Sequence, residues 1–202
     1  ELKFGWQPGH HETPLPVETR MEPVSEDWER HIKVLHTSAG DLEAARLVSL
    51  KGQPGMSESY YISDAADAEK FLSLPMPELR GPVQSFHQRD AEVGERGILT
   101  VGLGHNPGGT VATLCGSENF AIMSINERDA LHALCERHMN VIVNRLKFFL
   151  AHGAGPFFSM AGEEFVAPPL HGPKDFDDFN VKYNKPIIDL IHESGGRLHT
   201  HC

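Results

Sequence analysis

The sequence ends with two apolar segments that each run into polar residues: GPFFSMAGEE at residues 155–164 and GGRLHTHC at residues 195–202. We interpret residues 156–160 and 197–202 as strands, joined by a helical segment. A helix between two neighbouring strands is typical of a parallel pair, and such a crossover is nearly always right-handed. The carboxyl ends of both strands should therefore lie at one edge of a sheet, which predicts an α/β fold.

Ionisable side chains follow both of these strands. Glu163 and Glu164 come after the first strand, and His199, His201 and Cys202 close the second. Enzymes of the α/β class place their catalytic groups at this edge of the sheet. We predict that these groups converge, with one glutamate acting as a general base or metal ligand and the other facing solvent. A glutamate that only caps the loop is the alternative.

The last residues also contain the ligand types of a zinc site. His199 and His201 alternate along a strand and so point to the same side, whereas Cys202 points away unless the strand ends there. Imidazole and thiolate are the ligands that Zn²⁺ prefers, which makes these three residues candidate zinc ligands. In the alternative, His199 is an interior side chain, His201 lies on the surface and Cys202 packs as a small apolar residue.

Composition restricts the class of protein. The 202 residues are 40% hydrophobic and 23% charged, which suits one soluble globular domain. A net charge of −10 argues against a nucleic-acid partner, and no apolar run reaches the roughly 20 residues of a membrane-spanning helix. Three widely spaced cysteines suit reduced thiols, so we expect a cytoplasmic protein.

The first 39 residues lack a sustained periodic pattern of apolar residues. Residues 1–23 are rich in Pro, Gly and His and predict a loop, whereas Trp28, Ile32 and Leu35 recur at helical spacing and predict a short helix over residues 26–35. We therefore separate a loop-rich N-terminal segment, residues 1–39, from a main domain, residues 40–202.

The rest of the chain alternates between strand and helix patterns. Apolar periodicity with Gly and Pro as boundaries predicts strands at residues 58–62 and 98–103 and helices at residues 63–74, 78–93, 124–153 and 173–194. The alternation in the second half indicates a parallel sheet with crossover helices, in either an open or a barrel form.

A glycine-rich turn follows the strand at residues 98–103. Its backbone amides are able to bind an anionic group, and His105 lies on the same edge as the glutamates, so Gly104, His105 and Asn106 are candidate substrate-binding residues. The spacing matches no nucleotide-binding motif, and glycines that only form a tight turn are the alternative.

Several segments of residues 40–202 resemble the uroporphyrinogen decarboxylase superfamily. The run from Gly104 to Pro107, followed by Thr110 to Cys115, is similar to the Gly-x-Pro-aromatic-Thr segment of that family. The order SMAGEE at residues 159–164, PLHGP at residues 169–173 and GGRLHTHC at residues 195–202 is similar to its strand, loop, Pro-initiated helix and next strand.

The resemblance implies a fold and two chemistries. The fold would be part of a (β/α)8 TIM barrel with parallel strands and outer helices, truncated at its C-terminus because members of the family are longer. One branch decarboxylates a tetrapyrrole without a cofactor, but its tyrosine falls near Leu114 and its arginine loop is either absent or cut off. The other branch uses zinc to activate a thiol that accepts a methyl group from a corrinoid.

The methyltransferase branch gives the expected function. The resemblance implies zinc-assisted methyl transfer from a corrinoid or a methylated small molecule to a thiol, with Glu163 or Glu164 as the catalytic residue. The expected partners are a small-molecule substrate, a corrinoid protein and a second copy of the chain. A tetrapyrrole decarboxylase and a non-catalytic barrel that binds a tetrapyrrole or corrinoid are the alternatives.

Overall fold

A computed structural model describes residues 2–7 and 11–201, with side chains from residue 5 onward. These residues contain eight strands, which are β1 (Leu2–Trp6), β2 (Val17–Pro23), β3 (Trp28–Leu35), β4 (Leu42–Ser49), β5 (Met56–Ser57), β6 (Gly97–His105), β7 (Phe157–Ala161) and β8 (Arg197–His201). The α-helices in the same part of the chain are α1 (Ala65–Leu72), α2 (Gln84–Val93), α3 (Pro107–Cys115), α4 (Ser117–Asn126), α5 (Arg128–Ala151), α6 (Pro173–Phe176) and α7 (Lys182–Glu193).

The chain divides into two compact units, each with its own sheet. The parallel-sheet unit consists of Glu1–Thr13, Met76–Thr110 and Cys135–Cys202, and the antiparallel-sheet unit of Pro14–Pro75 and Val111–Leu134. No helix among the described residues combines the length and apolar character that crossing a bilayer requires.

In the parallel-sheet unit the strand order is β1-β6-β7-β8, and all three neighbouring pairs are parallel. Buried and half-buried residues alternate along β7, because successive side chains point to opposite faces of a sheet. One face, with Phe158 and Met160, packs into an apolar core with residues of α2, α5 and α7, among them Phe86, Phe149 and Ile187. The other face carries Ser159 and Ala161 of β7, which are half-buried.

The crossover from β7 to β8 contains the predicted Pro-initiated helix. Pro173 begins α6, a π-helical turn at Asp177–Val181 follows, and α7 continues to Glu193 with Pro186 inside it. Proline has no N–H and cannot donate the usual helical hydrogen bond. A π-helical turn is one way in which a helix accommodates an irregular hydrogen-bond pattern. The helix ends before Gly195, whose φ of +77° suits glycine.

In the antiparallel-sheet unit the strand order is β2-β3-β4-β5, and every neighbouring pair is antiparallel. Ile32 and Val34 of β3 are buried, whereas Lys33 between them is exposed, which is the period-two pattern of a strand with one face on a core. Every residue of β2 is exposed, and this edge strand carries Glu18, Arg20 and Glu22. Charged residues on an edge oppose pairing with other chains.

The prediction of part of a (β/α)8 barrel is wrong. All strands of such a barrel are parallel, whereas the described residues contain one parallel and one separate antiparallel sheet. The links between β2, β3 and β4 span only residues 24–27 and 36–41. Links this short join antiparallel strands, because a parallel crossover needs a dozen or more residues.

The predicted helix at residues 26–35 is also wrong, since Trp28–Leu35 form β3. Apolar residues at positions 28, 32 and 35 fit a helix, but pairing of β3 with β2 on one side and β4 on the other overrides that local pattern. Residues 58–62 lie outside any strand, and only Met56–Ser57 pair with β4. The strands predicted at residues 98–103 and 156–160 are confirmed, and β8 covers 197–201 of the predicted 197–202.

Candidate functional site

A cavity of about 340 Å³ lies at the carboxyl edge of the parallel sheet, and we call it the histidine pocket. Three imidazoles line it, those of His105, His199 and His201. Gln7, which directly follows β1, and Ser159 on β7 add an amide and a hydroxyl. The four strands β1, β6, β7 and β8 thus each contribute to one pocket at or just beyond their carboxyl ends.

Strand register explains why these side chains share a face. His105 pairs with Ala161, and Ala161 pairs with His201, so the three residues form a row across β6, β7 and β8. Residues in such a row point to the same face of a parallel sheet. Neighbouring strands lie about 4.8 Å apart, which places the two histidine backbones about 10 Å from each other. Ala161 between them is small and leaves the space above it open.

A second row lies one step further from the edge. Gly102 pairs with Ser159, and Ser159 pairs with His199. A Cβ atom added to Gly102 would stand 2.6 Å from Nε2 of Gln7, so the Gln7 amide lies directly against the backbone of β6. Gln7 fills the space where a side chain at position 102 would otherwise be, so a larger residue there would have to displace the Gln7 amide.

The predicted glycine-rich turn is an irregular end of β6 followed at once by α3. The register shifts between Gly102 and Gly104, and Gly104 has a φ of +87°, which a residue with a side chain rarely adopts. This irregularity places Gly104 and His105 on the pocket. Asn106 is fully buried instead, where its Oδ1 accepts a hydrogen bond of 2.7 Å from the Gly109 N–H, as a helix-capping residue does.

An ion pair holds residues 11–13 near the end of β6. Arg145 on α5 donates two hydrogen bonds to Glu12, of 2.6 and 2.9 Å, and a third to the backbone carbonyl of Leu103. Both partners are less than one third exposed, and a two-point contact of this kind fixes orientation as well as distance. Arg145 thereby ties residues 11–13 to the carboxyl end of β6.

Glu163 belongs to a buried polar cluster with Asn180 and Asn184, which lie in the crossover between β7 and β8. It is 8% exposed, its Oε1 accepts a hydrogen bond of 3.3 Å from Asn184 Nδ2, and its backbone carbonyl accepts one from Asn180. Among the described residues, Glu163 Oε2 and Asn184 Oδ1 are both buried without a partner. Burial raises the pKa of Glu163, and the neighbouring Glu164 raises it further, whereas the Asn184 bond and the charge of His105 lower it.

These facts fit a protonated Glu163 side chain. A carboxylic acid donates from one oxygen and accepts at the other, and an amide does both as well. A proton on Oε2 would allow Glu163 to donate to Asn184 Oδ1 while it accepts from Nδ2. Glu164, in contrast, is exposed, and its Oε2 accepts a hydrogen bond of 3.1 Å from the Gly162 N–H.

The structure brings together some of the predicted site residues and not others. His105, Gly104, His199 and His201 line one pocket, whereas Glu163, Glu164 and Asn106 are not among its lining residues. Cys202 lies outside the described residues. Within the part of the chain that is described, no three His, Cys, Asp or Glu side chains lie close enough to hold a metal ion.

Sequence reasoning missed Gln7 and Ser159. Ser159 and Ala161 alternate with the buried Phe158 and Met160, so the period of two along β7 was a usable signal for the pocket face. Gln7 gave no such signal, because the strand before it is short and its neighbour in the sheet, β6, lies about 90 residues later in the chain.

Comparisons of this chain with protein-family models, with curated proteins and with solved structures find no match.

Proposed function

We propose that the chain is an enzyme whose active site is the histidine pocket, and that it transfers a methyl group to a thiol with the help of zinc. One observation supports this proposal: three imidazoles from two non-adjacent strands surround a single cavity at the carboxyl edge of a parallel sheet. Open α/β sheets bind their ligands at this edge. The choice of methyl transfer rests on the resemblance to the zinc-dependent branch of the uroporphyrinogen decarboxylase superfamily.

The imidazoles of His199 and His201 are ligands of the kind that zinc prefers. His199 and His201 are exposed, lie on the same face of β8 and make no hydrogen bond through their rings to any described residue. They would hold the ion together with Cys202. Bound zinc would supply a positive charge that lowers the pKa of a substrate thiol, so that the thiol reacts as thiolate.

The other pocket residues would orient the substrate and accept its proton. His105 lies across Ala161 from His201, and its imidazole would take the proton that the thiol loses. The corrinoid would supply the methyl group: the thiolate sulfur would bond to the methyl carbon, and the electron pair of the broken cobalt–carbon bond would remain on cobalt. The Gln7 amide and the Ser159 hydroxyl would hold polar groups of the substrate through hydrogen bonds.

The proposal extends to partners and compartment. We expect a small thiol as acceptor, a corrinoid or its carrier protein as donor, and a second copy of the chain as a further partner. We place the protein in the cytoplasm. Cys115 and Cys135 are both buried and form no disulfide with each other, and burial raises the pKa of the Cys115 thiol to about 12, so this thiol is unreactive at neutral pH.

Metal content and activity test the proposal together. We would purify the full chain without a histidine tag and compare it with the double variant His199→Ala, His201→Ala, using His192→Ala on α7 as a control outside the pocket. The expected result is about one zinc per chain, lost in the double variant along with roughly 100-fold or more of methyl transfer from methylcobalamin to a thiol. Absence of zinc from the unaltered chain would contradict the proposal, and would favour cofactor-free decarboxylation or binding alone.

A further inference from the structure

The antiparallel-sheet unit contains a second cavity, of about 290 Å³, which we call the cationic pocket. Strands β3 and β4, the chain at residues 57–61 and two residues of α3 form its walls. Its volume is close to the lower end of the range of about 300–1,000 Å³ that small-molecule sites span. Basic and aromatic side chains are among its lining residues: His31, Lys33, Arg46, Tyr60 and Tyr61.

Register places the basic side chains on one face of the sheet. His31 pairs with Arg46 across β3 and β4, and Lys33 is two residues from His31 on the same strand. Directly paired residues of antiparallel strands point to the same face, as do residues two apart on one strand. The opposite face of β3 carries the buried Ile32 and Val34, so the basic face is the one turned away from that core.

Lys33 and Arg46 differ from the other basic residues of this sheet. Arg20 is paired with Glu43, Arg30 with Glu58 and Lys51 with Asp27. Over residues 11–201, neither Lys33 nor Arg46 has a carboxylate partner, although the whole chain carries a net charge of −10. Two cations that stay unpaired beside a cavity in an acidic chain attract an anion from solution.

One carboxylate lies at the edge of this basic face. Glu29 Oε2 is 3.2 Å from His31 Nε2, so the imidazole has a partner within the sheet. Lys33 and Arg46 therefore provide the net positive charge. The guanidinium of Arg46 also packs close to the backbone of Gly55, where an added Cβ would stand 3.0 Å from Nε.

Aromatic and apolar residues form another part of the pocket wall. The ring of Tyr60 lies against Gly116, where any side chain would collide with it. Burial raises the pKa of Tyr61, which keeps its phenol neutral and able to donate a hydrogen bond. Leu114 of α3 adds an apolar surface beside them. The pocket thus joins a cationic side to a flat, apolar side with hydroxyl groups.

We propose that the cationic pocket binds a small aromatic oxyanion. Its carboxylate or phosphate group contacts Arg46 and Lys33, and its ring lies against Tyr60 and Leu114. Arginine binds the two oxygens of such a group with two parallel N–H bonds, and a ring beside tyrosine gains contact area at little cost in side-chain freedom. This site lies wholly within the antiparallel-sheet unit and is independent of the methyl transfer proposed above.

Titration calorimetry with four probes tests the proposal on the full chain. Benzoate and phenyl phosphate carry both features, benzamide lacks the charge and inorganic phosphate lacks the ring. We expect benzoate or phenyl phosphate to bind at least about tenfold more tightly than benzamide and inorganic phosphate, because each of the missing contacts contributes about 1.4 kcal/mol or more. Whichever of the two aromatic anions binds more tightly identifies the oxyanion as carboxylate or phosphate.

Variants separate the two sides of the pocket. The double variant Lys33→Gln, Arg46→Gln should weaken binding of the aromatic anion at least about tenfold, whereas Lys51→Gln, which removes a lysine that is paired with Asp27, should leave it unchanged. Tyr60→Ala should weaken the aromatic anion more than inorganic phosphate. Circular dichroism of each variant checks that it is folded. Equal binding by unaltered chain and double variant, or no binding of either aromatic anion at millimolar concentration, would overturn the proposal.

Discussion

In the histidine pocket the polar side chains lie where parallel strands end, whereas in the cationic pocket they lie in the middle of antiparallel strands. Parallel topology directs the ends of β6, β7 and β8 to one edge, so residues far apart in sequence meet there. In the antiparallel sheet, direct pairing of β3 with β4 brings His31 and Arg46 side by side. Strand direction thus decides whether a pocket forms at the edge of a sheet or on its face.

The two pockets are alike in the sheet face that they use. Both use the face of a sheet that is turned away from the apolar core, where side chains are free to bind ligands. The loss in free energy of unfolding that a substitution causes should therefore depend more on the sheet face where the residue lies than on the unit that contains it. The three predictions below test this view, from the largest expected effect to the smallest.

Two adjacent phenylalanines on β7 allow a direct test of the faces. Phe158 is fully buried in the core between the parallel sheet and its helices, whereas Phe157 points to the other face and is half-buried. Phe158→Ala should reduce the free energy of unfolding by about 3–5 kcal/mol, and Phe157→Ala by less than about 2 kcal/mol. Urea denaturation followed by circular dichroism measures both. Equal losses would show that both faces are packed to the same degree.

Glu163 provides a test that depends on pH. Its pKa is raised in the folded protein, chiefly by burial, so the ionised form destabilises the fold. The stability contributed by the protonated form is complete below the ordinary pKa of about 4.5 and is lost as the pH rises through the raised value. Glu163→Gln stays neutral and can form both hydrogen bonds to Asn184, so it should be about 1 kcal/mol more stable than the unaltered chain at pH 8.

Two variants serve as controls for Glu163→Gln: the same change at the neighbouring Glu164, and a change of Glu163 to the smaller alanine. Glu164→Gln changes an exposed carboxylate and should show no comparable gain, and Glu163→Ala should lose about 1–2 kcal/mol because Asn184 is left without a partner. Denaturation at pH 4.5 and at pH 8 would separate the variants. A Glu163→Gln protein that is less stable than the unaltered chain at pH 8 would show that the ionised form of Glu163 stabilises the fold and that its pKa is not raised.

Arg46→Gln should have the smallest effect on stability. Arg46 is exposed and has no carboxylate partner among residues 11–201, so its replacement removes no ion pair and opens no cavity in the core. The free energy of unfolding should change by less than about 0.5 kcal/mol. A loss of more than about 1 kcal/mol would indicate that Arg46 supports the sheet, and would weaken its assignment to a binding pocket.

The sequence predicted the parallel-sheet unit better than the antiparallel one, for a physical reason. Around β7 and β8 the strands are short apolar runs with a long helix between them, and this local pattern alone implies their pairing and shared edge. Residues 26–35 are ambiguous, because Trp28, Ile32 and Leu35 fit a helix as well as Ile32 and Val34 fit a strand. Pairing with both β2 and β4 decides the outcome, and such pairing is not visible within one segment.

The candidate site was likewise only partly predictable, because contacts between distant segments are not visible within one segment. His105, His199 and His201 stand at strand ends, so their position on the edge could be predicted. The burial of Glu163 and Asn106 could not, because it depends on Asn180 and Asn184 in the crossover between β7 and β8. The cationic pocket was also hidden, since it requires the register of β3 with β4 and the ring of Tyr60 against Gly116.

The most direct test of the account is a zinc titration of the full chain, followed by NMR of the histidine ring nitrogens, with His199→Gln and His201→Gln used to assign the signals. The proposal predicts that the ring signals of His199 and His201 shift together and saturate at one zinc per chain, while that of His192 on α7 stays in place. No saturable shift, or an equal response of His192, would contradict a zinc site in the histidine pocket.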